Sequence, residues 1–347
     1  MAIARSSLVK DDLEGTYHCV SRIVRRAFLC GWDSVTQCDY EYRKVWLSRR
    51  LKELANIFFM DVCGYAVLEN HLHVILRNRP DLAKKASDED IALRWWRLFP
   101  KRRTFDNMPE EATELDLDLV LDGPGRVNEL GKRLSSISWF MRCLKEHLAK
   151  LANAEDQCTG RFWEGRFKSI ALLDQAAILT CAAYVDLNPI RAGIAESPET
   201  SDFTSAQDRI IARQAKKQQQ LESFGNNKMN PQQEQHCLAR AQWLCPLRDE
   251  PNRRGFLAMD VDSYLELLDW TGRKIVDGKK GSIPTHLAPI LQRLDVDEEQ
   301  WLHSSQHFGS MFYRVAGKVR EIREKALLMG QKWLKGVQSG RDAFISR

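Results

Sequence analysis

The stretch DVCGYAVLENHLHVILR, residues 61–77, decides the fold. Two β-prone apolar runs, 61–68 and 72–77, are separated by the short polar joint Glu69-Asn70, which is the pattern of a β-hairpin. Upstream, residues 15–25 (GTYHCVSRIVR) alternate β-prone and polar side chains and read as a strand. Residues 40–60 then set Val45, Leu47, Leu51, Leu54, Ile57 and Phe58 at helical spacing. Downstream, residues 80–127 break the pattern with charged clusters (WWRLFPKRR, PEEATELDLD) and close on Gly123-Pro124-Gly125, so they read as a partly helical insertion or lid. Residues 133–151 return to helical spacing through Leu134, Ile137, Phe140, Met141, Leu144 and Leu148. Residues 161–172 (RFWEGRFKSIAL) read as a strand, and Asp174 caps a helix running to about Leu187. The order β-α-β-β-(insertion)-α-β-α is the split βαβ pattern. It predicts an α+β fold with a ferredoxin-like core: an antiparallel sheet with helices on one face.

The rest of the chain adds organisation more than chemistry. With 347 residues, the length suggests about two domains of roughly 150 residues each. The first is expected at 1–197. Residues 198–235 contain a Gln-, Asn- and Lys-rich stretch that reads as a polar linker or exposed helix. Residues 236–347 recover apolar residues in helical patterns, a mostly helical C-terminal domain in which LAPILQRL to WLHSSQHF has the look of a helix-turn-helix. A composition of 44% hydrophobic and 29% charged residues excludes collagen-like, wholly disordered and porin-like chains. No apolar run approaches the ~20 residues that span a bilayer, and residues 1–12 lack the apolar block of a secretory signal. Nine cysteines are scattered singly with no C-x-x-C pair, which suits a reducing compartment, so a cytoplasmic protein is expected. The net charge of +5 tolerates a nucleic-acid partner without requiring one.

Chemistry concentrates in two places. His71 and His73 are two apart on a predicted strand, so both imidazoles leave the same face and can reach one metal ion or phosphate; a pair of half-buried sheet histidines is the plainer reading. Tyr184 and Asn188 are four apart on a predicted helix, which puts phenol and amide one turn apart on one face, with Pro189 marking the helix end. Arg22, Arg25, Arg26, Arg161, Arg166, Lys168 and Arg191 lie in or beside these segments and can contact phosphates, while Phe162 or Trp163 could stack on an unpaired base. Clustered arginines and a strand tryptophan are, one by one, more ordinary as solvated and core residues.

Three ordered motifs, ENHLHVIL (69–76), GRFWEGRFKSIALL (160–173) and YVDLNPIRAGI (184–194), together with YHCVSRIVRRAFLCG (17–31), resemble the single-tyrosine HUH transposases, most closely the REP-associated tyrosine transposases. The resemblance covers residues 15–195, interrupted by the long insertion. It implies that His71 and His73 are metal ligands flanking the hydrophobic Leu72, that Asn188 is the third ligand, and that Tyr184 is the nucleophile. The implied cofactor is a divalent ion, Mg²⁺ or Mn²⁺, and the implied partner is single-stranded DNA with hairpin structure. The tyrosine would join the 5′ phosphate and free a 3′ hydroxyl. A rolling-circle initiator or relaxase-like nickase, and a non-catalytic binder of hairpin nucleic acid, stay open as alternatives, as does the choice between monomer and homodimer.

Overall fold

The computed structural model describes residues 12–24, 30–33, 37–106, 108–222, 230–277 and 284–345. Strand β1 (Gly15–Arg22) is followed by the short pair β2 (Trp32–Asp33) and β3 (Cys38–Asp39), helix α1 (Tyr42–Ile57), and the hairpin β4 (Met60–Val67) and β5 (His71–Asn78). Next come α2 (Pro80–Lys85), α3 (Asp88–Leu98), α4 (Glu114–Leu121), α5 (Arg126–Leu134) and the long α6 (Ile137–Glu155). Then follow β6 (Lys168–Leu172), α7 (Gln175–Asp186) and α8 (Asn188–Arg191). The remainder is α9 (Ser205–Glu222), α10 (Pro231–Ala239), α11 (Val261–Asp277), α12 (Ala288–Arg293), α13 (Glu298–Met311), β7 (Val315–Ala316), α14 (Val319–Leu328) and α15 (Val337–Ala343). No helix among the described residues is long and apolar enough to cross a membrane.

The fold is α+β. One five-stranded sheet runs in the order β4-β5-β1-β6-β7, antiparallel except where the short β7 joins β6 in parallel. Alternation along the strands sends Tyr17, Cys19, Leu72, Val74 and Leu76 to one face, where α1 and α6 bury them. It sends Ile75, Ile170 and Leu172 to the other face, into a second core built by α7, α11 and α13. The expectation of helices on one face only is therefore corrected. The C-terminal helices carry apolar stripes of their own, and the second sheet face is the surface they cover.

Two further expectations change in detail. Of the predicted strand 161–172 only Lys168–Leu172 is extended. The preceding residues form a loop whose Glu164 N–H donates to the Arg22 carbonyl at 2.9 Å, and the Val24 N–H donates to the Phe162 carbonyl at 3.0 Å, so the loop closes on the end of β1. Phe162 and Trp163 are 3% and 8% exposed in the first core, and neither presents a ring to an incoming base. The stretch expected as a polar linker or exposed helix, residues 198–235, is helical in α9 and α10, and the first turns of α9 bury Ala206, Asp208, Arg209 and Ile210. Composition underrated it, because its polar side chains are satisfied inside: Arg209 donates to the carbonyl of Cys63 at 2.9 Å, and Tyr65 donates to Asp208 at 2.7 Å.

Asp186 shows how α7 is held. Its buried carboxylate accepts from the Ser205 hydroxyl at 2.5 Å, the Ala206 N–H at 3.0 Å and the Tyr264 hydroxyl at 2.6 Å, tying the end of α7 to α9 and α11. Burial pushes its carboxyl up from the ordinary range, while the Arg209 charge and these hydrogen bonds oppose the shift. Removing the carboxylate leaves the buried Ala206 N–H and Tyr264 hydroxyl unpaired and the Ser205 hydroxyl with only a long contact, 3.4 Å, to the Tyr65 carbonyl. Asp186→Ala is expected to cost about 3 kcal/mol or more of unfolding free energy, read as a lower denaturation midpoint.

Candidate active site

The site is assembled by strand register. In the β1–β5 ladder Val20 lies opposite His73 and Arg22 opposite His71, and in the β1–β6 ladder Val20 lies opposite Lys168. Paired residues share a face, so His18, Arg22, His71, His73 and Lys168 all leave the sheet on the side of α7. Asp174 caps the start of α7, its carboxylate accepting from the Ala177 N–H at 2.8 Å, and the helix delivers Tyr184 at its last turn. Asn188 opens the short α8 directly behind it.

These elements bring four predicted residues together. The His73 ring centroid is 4.8 Å from that of His71 and 5.7 Å from that of Tyr184. Nε2 of His73 is 3.0 Å from the side-chain amide nitrogen of Asn188. Nδ1 of His73 is held by Nε2 of His18 at 2.8 Å, and Nδ1 of His71 is held by Oδ1 of Asn70 at 2.6 Å. In each predicted metal-ligating imidazole, then, Nδ1 is occupied by a neighbour, and the Nε2 of His73 faces the Asn188 amide.

The donor set fits a divalent ion. Metal-binding histidines commonly have their second nitrogen anchored in this way. A half-turn of the Asn188 amide presents Oδ1 where Nδ2 now stands, beside Nε2 of His73. No group of three or more His, Cys, Asp or Glu side chains among the described residues is placed to hold a metal. The set here is two imidazoles and one amide, and it leaves open coordination positions.

Burial and neighbouring charges keep the imidazoles neutral. Burial, with Arg191 and His71 adding repulsion, pushes His18 down to about 3. Burial, Arg22 and Arg191 push His71 down to about 4, and His73 is driven well below the usual histidine value by burial first and its charged neighbours second. Arg191 is half-buried, its guanidinium carbon 3.9 Å from the centre of the Tyr184 ring, and it donates to the Gln306 carbonyl of α13. Its predicted role beside phosphate is thus joined by a contact to the tyrosine itself.

Other predicted residues fall in three groups. Arg22 is exposed beside His71, and Lys168 is exposed at the edge of the site face. Arg161 and Arg166 are exposed on the loop that closes on β1. Arg25 and Arg26 lie outside the described residues.

Two contributors carried no assigned site role. His18, in the first strand, is legible in the sequence as a neighbour of the site but not as a ligand, and its partner appears only once the register is known. The other is α13. Phe308 packs against both His18 and Tyr184, with ring centroids 6.1 and 5.8 Å away, and a methyl group on Gly309 would meet the Tyr184 hydroxyl at 2.5 Å. Nothing local in residues 298–311 announces that contact. Among the described residues the Tyr184 hydroxyl itself makes no hydrogen bond.

No family model matches the chain, and no curated protein matches it. A solved structure described as the REP-associated tyrosine transposase bound to a REP hairpin is similar at a TM-score of 0.35 and 14% identity, over 60% of this chain and 86% of that one.

The neutral histidines carry a pH signature. The unfolded chain protonates these residues below about 6.5, whereas His18 and His71 in the fold resist protonation down to about 3 and about 4. The unfolded state therefore binds more protons, and stability falls as pH drops from 6.5 toward 4. The melting temperature is expected to fall between pH 7 and pH 5, and to fall less in His18→Gln; an equal fall in both would show that His18 is not held neutral by the fold.

Proposed function

We propose that the protein is a DNA strand transferase of the single-tyrosine HUH type, built on a ferredoxin-like core, which cleaves and rejoins single-stranded DNA through a 5′-phosphotyrosine. The observation that carries this reading is the convergence of an unbonded phenol, two imidazoles and an amide on one patch of a sheet face flanked by Arg22 and Arg191. The run β1, α1, β4, β5, α6, β6 and the strand order β4-β5-β1-β6 support the ferredoxin-like part.

His71, His73 and Asn188 would hold Mg²⁺ or Mn²⁺, which supplies Lewis-acid polarisation of the scissile phosphodiester. The protein's own residues do the rest. His18 and Asn70 fix the imidazole orientations, and Arg22 and Lys168 attract the phosphate backbone. Arg191, stacked on the phenol, favours the negative charge that develops on its oxygen. Tyr184 attacks phosphorus, the P–O bond to the departing 3′ oxygen breaks, and the phenolic proton is released to water while the 3′ oxygen takes one up. One phosphate ester replaces another, so a 3′ hydroxyl can reverse the step and rejoin strands without an energy source.

The test is a denaturing gel of the protein with hairpin-bearing single-stranded DNA and Mg²⁺ or Mn²⁺. The wild type is expected to form a covalent adduct and release a fragment ending in a 3′ hydroxyl, and Tyr184→Phe and His71→Ala are expected to form none. An adduct that persists in Tyr184→Phe sinks the reading; DNA binding with no adduct in the wild type points to a non-catalytic binder. Gly309→Ala should keep α13, since alanine is the better helix former, while displacing the Tyr184 hydroxyl. Adduct formation is expected to slow on the order of tenfold to a hundredfold with an unchanged melting temperature.

A further inference from the structure

The insertion between β5 and α6 carries a feature the candidate site does not use. Trp95 and Phe99 are one turn apart on the outer side of α3 and meet Trp139 of α6. Ring centroids are 4.9 Å apart for Trp95–Phe99, 5.6 Å for Trp95–Trp139 and 6.4 Å for Phe99–Trp139. Ile91, Trp96 and Leu98 of α3 are buried in the first core, while Trp95 and Trp139 pack against its margin and stay partly exposed. Phe99 is 45% exposed, and the indole N–H groups of Trp95 and Trp139 have no hydrogen-bond partner among the described residues.

Cations frame these rings. Arg133 lies 4.6 Å from the centre of Trp139 and 5.6 Å from that of Trp95, Arg142 lies 5.0 Å from Trp139, and Arg126 lies 5.8 Å from Trp95. Their carboxylate partners are outnumbered: Glu129 is shared by Arg126 and Arg133, and Glu146 by Arg142 and Lys150. A half-exposed aromatic cluster with uncompensated positive charge complements one partner chemistry, a polyanion with flat apolar faces. Unpaired nucleotides have both.

The cluster also connects to the candidate site. Trp139, Arg142 and Lys145 follow one another at three-residue spacing along α6, about 9 Å from first to last. Lys145 donates to the Gly165 carbonyl at 2.7 Å, and that loop closes on β1 at Arg22, opposite His71. Two basic side chains, Arg142 and Lys145, therefore lie between the aromatic cluster and the loop that closes on β1.

We propose that Trp95, Phe99 and Trp139 form a stacking platform for unpaired bases of single-stranded DNA, with Arg133 and Arg142 contacting the adjoining phosphates. The choice of DNA rests on the functional reading above; the stacking itself rests on the cluster.

The test is fluorescence anisotropy of an end-labelled, unstructured 20-nucleotide DNA strand with the full chain in EDTA, where no cleavage occurs. Phe99→Ala and Trp139→Ala are each expected to weaken binding about tenfold, and Trp139→Phe to restore most of the loss. Arg142→Gln should flatten the dependence of log affinity on log salt by about 0.7. Folded aromatic variants with wild-type affinity would overturn the platform, as would a wild type that binds duplex as tightly as single strands, or one that binds no DNA. The two readings fail separately: strand binding that depends on Phe99 without any adduct removes only the transferase, and an adduct with Phe99-independent binding removes only the platform.

Discussion

The antiparallel pairing of β1 with β5 is the constraint on which the rest depends. Because side chains alternate along a strand, a slip of one residue would turn His71 and His73 into the first core and Leu72 and Val74 out of it. The apolar residues and the histidines thus lock the same register, one set by burial and the other by alternation. That register also places Arg22 beside His71 and aims His18 at His73.

Burial then sets the chemistry of the face. Three imidazoles packed together beside Arg22 and Arg191 would repel if charged, and desolvation by α7 and α13 holds them neutral with their lone pairs available. The cost of burying polar groups is met by specific partners. His18 and Asn70 occupy one nitrogen on each predicted ligand, and Asp186 is satisfied by donors from two later helices. Because those donors come from α9 and α11, the stability of the second core and the position of Tyr184 are not separable. The C-terminal helices act as a wall of the site as well as a cover for the sheet.

Much of this was legible in the residues themselves. The hairpin at 61–77, the amphipathic α1 and α6, the Asp174 cap and the turn after Asn188 are all local patterns, in which periodicity and capping chemistry act over a few residues. The same locality made His71 with His73, and Tyr184 with Asn188, visible as same-face pairs. Where the reading fell short, the missing information was long-range. The loop at 161–167 looks like a strand because its aromatics are buried, yet they are buried from a loop. The polar run into α9 looks like a linker or an exposed helix because two of its partners, Cys63 and Tyr65, lie more than 140 residues away in the chain.

By itself the sequence determined the element types and the two residue pairs, because strand alternation and helix pitch are properties of neighbouring residues. Only the tertiary structure decided that the two pairs meet, that His18 orients His73, that Arg191 and Gly309 bracket Tyr184, and that helices cover both faces of the sheet. Apart from the Arg191 contact, which joins neighbouring helices, these are contacts between segments from 55 to more than 100 residues apart. Such contacts follow from which apolar surfaces bury one another, and no local spacing encodes that choice.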